Sequence, residues 1–322
     1  MPYSVRRNKL CGLIDHVPIV ITAALFVLAA LPGRATTYTW NVNTTGDWST
    51  AGNWTPAGPP TNGDDAVITN SGVSVLLSSA SSNLSSLTLS RTITFTNWDT
   101  YLSATNVSIL SNGLMTCVGP FSNSVMSNRV YVICSNITIA AGGSINVNSK
   151  GYSGAGSSGG GGAGQGPGGA LGNRSSGSYG GVGGNYAWEN GPVYGSAAAP
   201  EYAGSGGGYN SVNALRGGHG GGAVRIDALG TVTLNGLITA NGEDNTSNNG
   251  GTGSGGGVWI TCLVLTGAQT TANTCMILAN GGSIATGGAG GSGGGGRIAI
   301  LYDPTAQNAL PVVPPLNLSV KG

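Results

Sequence analysis

The sequence predicts an all-β chain, folded as a right-handed parallel β-helix (a β-solenoid) with long Gly-rich loops on one face. Three observations predict it. Short Val-, Ile- and Thr-rich alternations run from Asp65 to Leu114 with no helical period. A strand-rich segment recurs along the second half. The recurrences are separated by segments dominated by glycine, which supplies 60 of the 322 residues. Charged residues are only 7% and apolar residues 39%, which excludes a charge-rich disordered chain, and the lack of a G-X-Y period excludes collagen. A formal net charge of +1 gives no basis for a nucleic-acid partner.

Residues 1–35 read as a signal peptide. Arg6, Arg7 and Lys9 precede the apolar run Val17–Leu31, whose fifteen residues fall short of a membrane span of about 20. Gly33 and Ala35 fit the small-residue positions of a signal-peptidase site, so cleavage after Ala35 is expected, against an uncleaved anchor as the competing reading. The cleaved chain would be secreted, extracellular or at the cell surface, with no membrane segment.

Residues 36–71 form a Trp-rich N-terminal cap. Trp40, Trp48 and Trp54 are interleaved with turn formers such as Gly46-Asp47, Pro59-Pro60 and Asn62-Gly63. With almost no aliphatics beside them, these rings suit the end of a larger core. Residues 72–303 are assigned to the solenoid. Its first copy, Val130–Asn148 (VYVICSNITIAAGGSINVN), matches Ala223–Asn241 (AVRIDALGTVTLNGLITAN) without a gap at an offset of 93 residues. A third copy runs Val258–Asn280, a fourth begins at Arg297, and the first three close on Asn148, Asn241 and Asn280. No copy can bury its apolar face alone, so stacking is expected.

The Gly-rich segments supply the return path of each coil. The longest, the insertion 151–222, holds 28 glycines in 72 residues; 242–257 and 281–296 are shorter. Disordered linkers are one reading; extended three-fold glycine helices packed side by side are the other. The register across the insertion predicts that it is an appendage whose replacement leaves a folded protein. Residues 304–322, with Pro304, Pro311, Pro314 and Pro315, read as a Pro-rich tail or linker.

Catalytic vocabulary is sparse, and no cofactor or metal is expected. His219 is the one histidine after the leader, and no serine is marked as its partner. Neither Asp64-Asp65 nor Glu243-Asp244 has the spacing of a calcium loop. Stacking of copies would test whether Arg225, Asp227, Glu243, Asp244 and Arg297 converge in one groove, as a polysaccharide lyase or hydrolase requires. The aromatics of the insertion are more informative. Tyr186, Trp188, Tyr194 and Tyr202 either pin the loop to the wall or face outward, where flat rings suit sugars or a partner surface. Cys117, Cys134, Cys262 and Cys275 are even in number, as disulfides in an exported chain require; buried thiols are the alternative, and spacing does not choose a pairing.

The opening W-x7-W-x5-W stretch with NGDDAVI resembles the start of bacterial secreted proteins of the autotransporter-associated β-strand type, and the GGG-led copies resemble glycine-rich β-helix segments of adhesin-like surface proteins. The resemblance implies a passive adhesive or structural role. The chain is therefore expected to be a non-enzymatic structural or adhesive protein whose partners are polysaccharides or cell-surface components. The alternative is a polysaccharide-active lyase or glycoside hydrolase.

Overall fold

The structure is a computed structural model that describes residues 35–70, 74–121, 125–156, 162–186, 189–212, 215–245, 250–267, 276–284, 290–311 and 316–322. The chain divides into units Met1–Arg34 and Ala35–Gly322, and the expected leader lies outside the described residues. The opening and the stretch after it form β1 (Thr37–Trp40), β2 (Gly46–Asp47), β3 (Trp54–Thr55), β4 (Asp65–Ile68) and β5 (Ser74–Leu77). Then come β6 (Asn83–Leu89), β7 (Thr92–Phe95), β8 (Leu102–Ile109), β9 (Leu114–Cys117), β10 (Val130–Ile139) and β11 (Ser144–Asn146). Beyond the insertion lie β12 (Ala223–Ala228), β13 (Thr231–Leu234), β14 (Leu237–Thr239), β15 (Gly257–Thr261), β16 (Val264–Thr266) and β17 (Met276–Leu278). The chain ends with β18 (Arg297–Leu301), the helix α1 (Pro304–Asn308) and β19 (Asn317–Ser319).

These strands form two sheets, visited in turn. The larger has 11 strands, ordered β18-β15-β12-β10-β8-β6-β4-β1-β3, with β13 on β10 and β16 on β13; the smaller has 8, ordered β19-β17-β14-β11-β9-β7-β5-β2. The smaller sheet is wholly parallel, whereas the larger is mixed, because β1 pairs antiparallel with β3. Parallel pairing of this kind is typical of α/β proteins, yet among the described residues helix is limited to α1 and a 3-10 turn at Ala51–Asn53. The expectation of a right-handed parallel β-helix with Gly-rich loops on one face is therefore corrected. Two mostly parallel sheets are present, not a closed solenoid, and the described Gly-rich residues, outside the helices and almost wholly outside the strands, are hydrogen-bonded to one another through the backbone.

Alternation explains the strands. In β7 (TITF) and β13 (TVTL) the threonines face outward while Ile93, Phe95, Val232 and Leu234 are fully buried. One core is shared by Leu87, Ile109 and Ile139 of the larger sheet and Val75, Met115 and Ile145 of the smaller. Each such side chain contributes about 1.5–3 kcal/mol by leaving water. Trp40 and Trp48 meet Trp54 edge to face at 5.0 and 4.9 Å, and the Trp54 indole donates to the Trp48 carbonyl at 2.8 Å. All three rings belong to the common core.

The gapless offset of 93 residues holds only at β11 and β14, where Ser144 faces Leu237. In the preceding strands Val130 pairs with Val224, and Ile137 with Val232, offsets of 94 and 95. The cause is parity: a one-residue slip would turn Arg225 into the core in place of Val224 and Ile226. An additional residue at the bend after Ala228 (Leu229-Gly230-Thr231, against Ser135-Asn136) and a shorter turn before β14 absorb the difference.

The Gly-rich segments form a second interior made of backbone. Gly204 and Gly207 donate to the carbonyls of Gly221 and Gly218 at 2.8 and 2.9 Å. Gly206 and Tyr209 donate to Gln165 and Gly162 at 2.9 and 3.2 Å, while Ser205 and Gly208 accept from Ser254 and Gly251 at 2.9 and 3.0 Å. Each neighbour is thus met at every third residue, the repeat of a three-fold extended helix. The same rule holds at the next chain: Gly218 and Gly221 donate to Gly251 and Ser254, and Gly217 and Gly220 to Ala155 and Tyr152. Gly294 donates to Gly177, and Gly293 to Gly282. The chains lie too close for side chains. A Cβ at Gly253 would fall inside the His219 carbonyl oxygen, and one at Gly251 inside that of Ser175. Segment 151–222 is consequently bonded to both shorter Gly-rich segments and is not an appendage. Likewise 304–322 is no free tail, since α1 and β19 lie within it and β19 pairs with β17.

Candidate functional site

The outer face of the larger sheet carries one ladder of aromatic and arginine side chains. Register places Tyr131 of β10 beside Arg225 of β12 and Arg225 beside Trp259 of β15. The Arg225 guanidinium lies 4.8 Å from the Tyr131 ring centre and 4.5 Å from that of Trp259. Arg129, just before β10, lies 4.6 Å from Trp98 and 4.7 Å from Tyr131. Tyr101 meets Tyr131 edgewise at 6.0 Å. Rings and guanidiniums therefore alternate as Trp98, Arg129, Tyr131, Arg225, Trp259, each contact being worth about 0.5–1 kcal/mol where solvent reaches it.

Hydrogen bonds fix this ladder. Asp227 accepts from the Tyr131 hydroxyl at 2.8 Å, from Arg225 Nε at 2.9 Å and from the Thr261 hydroxyl at 3.2 Å. Glu201 reaches Arg225 from the insertion at 3.3 Å. Arg129 is buried and donates from Nε to the Trp98 carbonyl at 2.9 Å; among the described residues no carboxylate forms an ion pair with it. Its burial, then the charge of Arg225, lowers its pKa. Burial and the bond to Asp227 raise that of the Tyr131 hydroxyl. Each carboxylate here holds a fixed donor, and the stacked rings turn their faces to guanidiniums.

The expected convergence of Arg225, Asp227, Glu243, Asp244 and Arg297 resolves into separate places. Arg225 and Asp227 belong to the ladder. Glu243 lies in the glycine bundle, where its Oε2 accepts from Arg216 at 2.8 Å and from the His219 amide at 2.9 Å. Asp244 accepts from the Ser283 amide at 2.7 Å. Arg297 falls opposite Gly257, out of line with Arg225; it donates to the Tyr194 carbonyl at 3.0 Å and lies 5.6 Å from the Tyr179 ring. Asp64 accepts from Thr61 and from the Thr36 amide, and Asp65 from Ser86. Among the described residues no group of three or more His, Cys, Asp or Glu could hold a metal ion.

The insertion's aromatics divide. Tyr194 points inward: its hydroxyl contacts the Ala203 carbonyl at 2.6 Å and Ser205 at 2.8 Å, and its ring packs on Tyr179. Burial raises its pKa well above the ordinary value. Tyr186 and Tyr202 are exposed, the former under Arg174, the latter against Tyr194. Trp188 lies outside the described residues. Cys117, Cys134 and Cys262 are free and buried, so a Cys117–Cys134 bridge is absent; Cys275 lies outside the described residues. Burial pushes the Cys117 and Cys134 thiols up to about 12 and Cys262 to about 11.

Sequence reading did not find the ladder, although a signal was present. Written in the structural register, the copies read VYV, VRI and VWI, with Tyr131, Arg225 and Trp259 at one outward position; the gapless alignment hid it by one residue. No family model matches this chain, and neither a curated protein nor a solved structure does.

Proposed function

We propose that this chain is a secreted or cell-surface structural and adhesive protein without catalysis. The observation that carries the reading is the glycine bundle. A body whose second interior is cross-linked backbone is rigid in three directions, and its segments keep few side chains free for chemistry. The carboxylates Asp227, Glu201 and Glu243 are each tied to an arginine, which supports a structural use for them. The ladder and the exposed Tyr186 and Tyr202 then serve as outward contact groups. The location rests on residues 1–35 and on the resemblance of the Trp-rich opening to exported surface proteins.

A second reading, a polysaccharide-cleaving enzyme, is favoured by one observation: Glu201 and Asp227 share Arg225 beside Tyr131 and Trp259. The two part in a single experiment. The full chain is incubated with plant and algal polysaccharides, and both retention on the polymer and release of reducing or unsaturated ends are scored. Retention without release is expected; turnover abolished by Asp227→Asn would establish the enzyme instead. N-terminal sequencing of exported protein should begin at Thr36.

A further inference from the structure

Beside the ladder, the inward–outward alternation of the larger sheet is interrupted in three neighbouring strands. In β6, β8 and β10 two consecutive residues face out at this point: Ser85-Ser86, Thr105-Asn106 and Ser135-Asn136. The inward residue before each is Leu84, Ala104 or Cys134, and these stand side by side in register, with Ala228 next. A depression of about 480 Å³ lies over them, and a second of about 320 Å³ over Ala228 and Cys262; Leu229 lines both. Together they make a furrow crossing six strands, about 24 Å at roughly 4.8 Å per strand.

We propose that this furrow binds an extended, uncharged polysaccharide lying along the stacking direction. The proposal rests on the adhesive reading and names its ligand class and site. No Lys, Arg, Asp or Glu lines the larger depression, and only Asp303, at the far end, lines the smaller. A polyanion or polycation therefore finds no counter-charge along most of the length. The hydroxyls of Ser85, Thr105 and Ser135 recur on successive strands and, among the described residues, make no hydrogen bond, so they can donate and accept toward sugar hydroxyls at strand spacing. Farther along, the exposed Leu229 and Leu263 offer an apolar wall for the C–H faces of sugar rings. A peptide strand is disfavoured because the furrow runs across the strands and presents no ladder edge to extend.

The test is native affinity electrophoresis of the full chain in gels containing xylan, galactomannan or mixed-linkage glucan, with polygalacturonate and chitosan as charged counterparts. Thr105 and Leu229 are exposed, so Thr105→Trp and Leu229→Glu fill or charge the furrow without entering the core. Each should weaken retardation by a neutral polymer about tenfold, while Val182→Ser, at an exposed position outside the furrow and the ladder, leaves it unchanged and circular dichroism melting stays that of the parent. Stronger retardation by polygalacturonate or chitosan overturns the proposal. So does retardation by neutral polymers that survives both furrow variants, which leaves the adhesive reading standing. If no polysaccharide retards the chain, the furrow proposal fails, and adhesion to intact cell surfaces decides the broader reading separately.

Discussion

His219 accepts the Gly154 amide proton on Nδ1 at 3.0 Å, a bond that requires an unprotonated Nδ1. Arg216 lies 3.1 Å from Nε2, Glu243 lies at 3.8 Å, and Lys150 adds a further positive charge. Burial first, then the two cations against the pull of Glu243, hold the imidazole below its ordinary value of 6.5. The unfolded chain therefore takes up a proton first as the solution is acidified. Stability is full above 6.5 and declines as pH falls through the window beneath it. Burial pushes Glu243 up, but bonds from Arg216 and the His219 amide leave it below its ordinary 4.5, so a second loss follows below that value. The urea midpoint should fall between about pH 7.5 and pH 5.5. In His219→Asn it should be flat across that interval, and an equal fall there would remove the imidazole from the explanation. A second residue-level prediction concerns Gly253, where a methyl group must displace the His219 carbonyl. Gly253→Ala should cost about 1–3 kcal/mol, read as a lowered denaturation midpoint; an unchanged one would mean that the chains can part freely.

At the scale of elements, an asparagine ladder joins successive turns. The Asn241 amide donates to Asn148 Oδ1 at 2.7 Å, the Asn280 amide to Asn241 Oδ1 at 2.8 Å, and the Lys321 amide to Asn280 Oδ1 at 2.8 Å. Asn241→Ala leaves the Asn280 donor without its acceptor and should destabilise by about 1–3 kcal/mol, whereas the exposed Leu229→Ala should change little. The sequence showed where this ladder's members stand, because three copies close on Asn148, Asn241 and Asn280, but not the bonds that join them. The strands were legible because apolar alternation has a period that spacing reveals. Which strand face carried Tyr131, Arg225 and Trp259 was not, because one residue inserted at the Ala228 bend reverses parity without disturbing composition. The bundle was legible only as an alternative to disorder. Gly204 and Gly221, or Gly253 and Gly282, recognise one another through main-chain groups that every residue has, so no side-chain pattern marks the pairing.

For the whole molecule, the insertion is the test of integrity. Segments 204–209 and 217–222 donate to and accept from 251–254, which in turn lead into β15. Replacing Gly151–Gly220 with a short Gly/Ser connector should abolish a single cooperative urea transition, although loop length by itself costs only about 0.6 kcal/mol per doubling. A variant that unfolds like the parent would show that the two sheets stand alone. The two ends of the body also differ. β3 covers β1 and brings Trp54 onto Trp40 and Trp48, while β18 ends the larger sheet at the other side, with Leu301 and Tyr302 half exposed beside it.

The glycine bundle has a consequence for how stability depends on temperature. Unfolding a hydrocarbon core raises the heat capacity, because water orders around apolar surface; exposing amides lowers it. Here a large share of the interior is amide packed on amide, with no side chain to hydrate. Calorimetry should therefore give an unfolding heat-capacity change per residue below the usual range of about 12–15 cal/mol/K. The stability curve should be correspondingly broad, with little loss near freezing. The slope of unfolding enthalpy against melting temperature, varied by pH, measures this directly, and a slope at or above the usual range would mean that the bundle is not a main store of the enthalpy of folding.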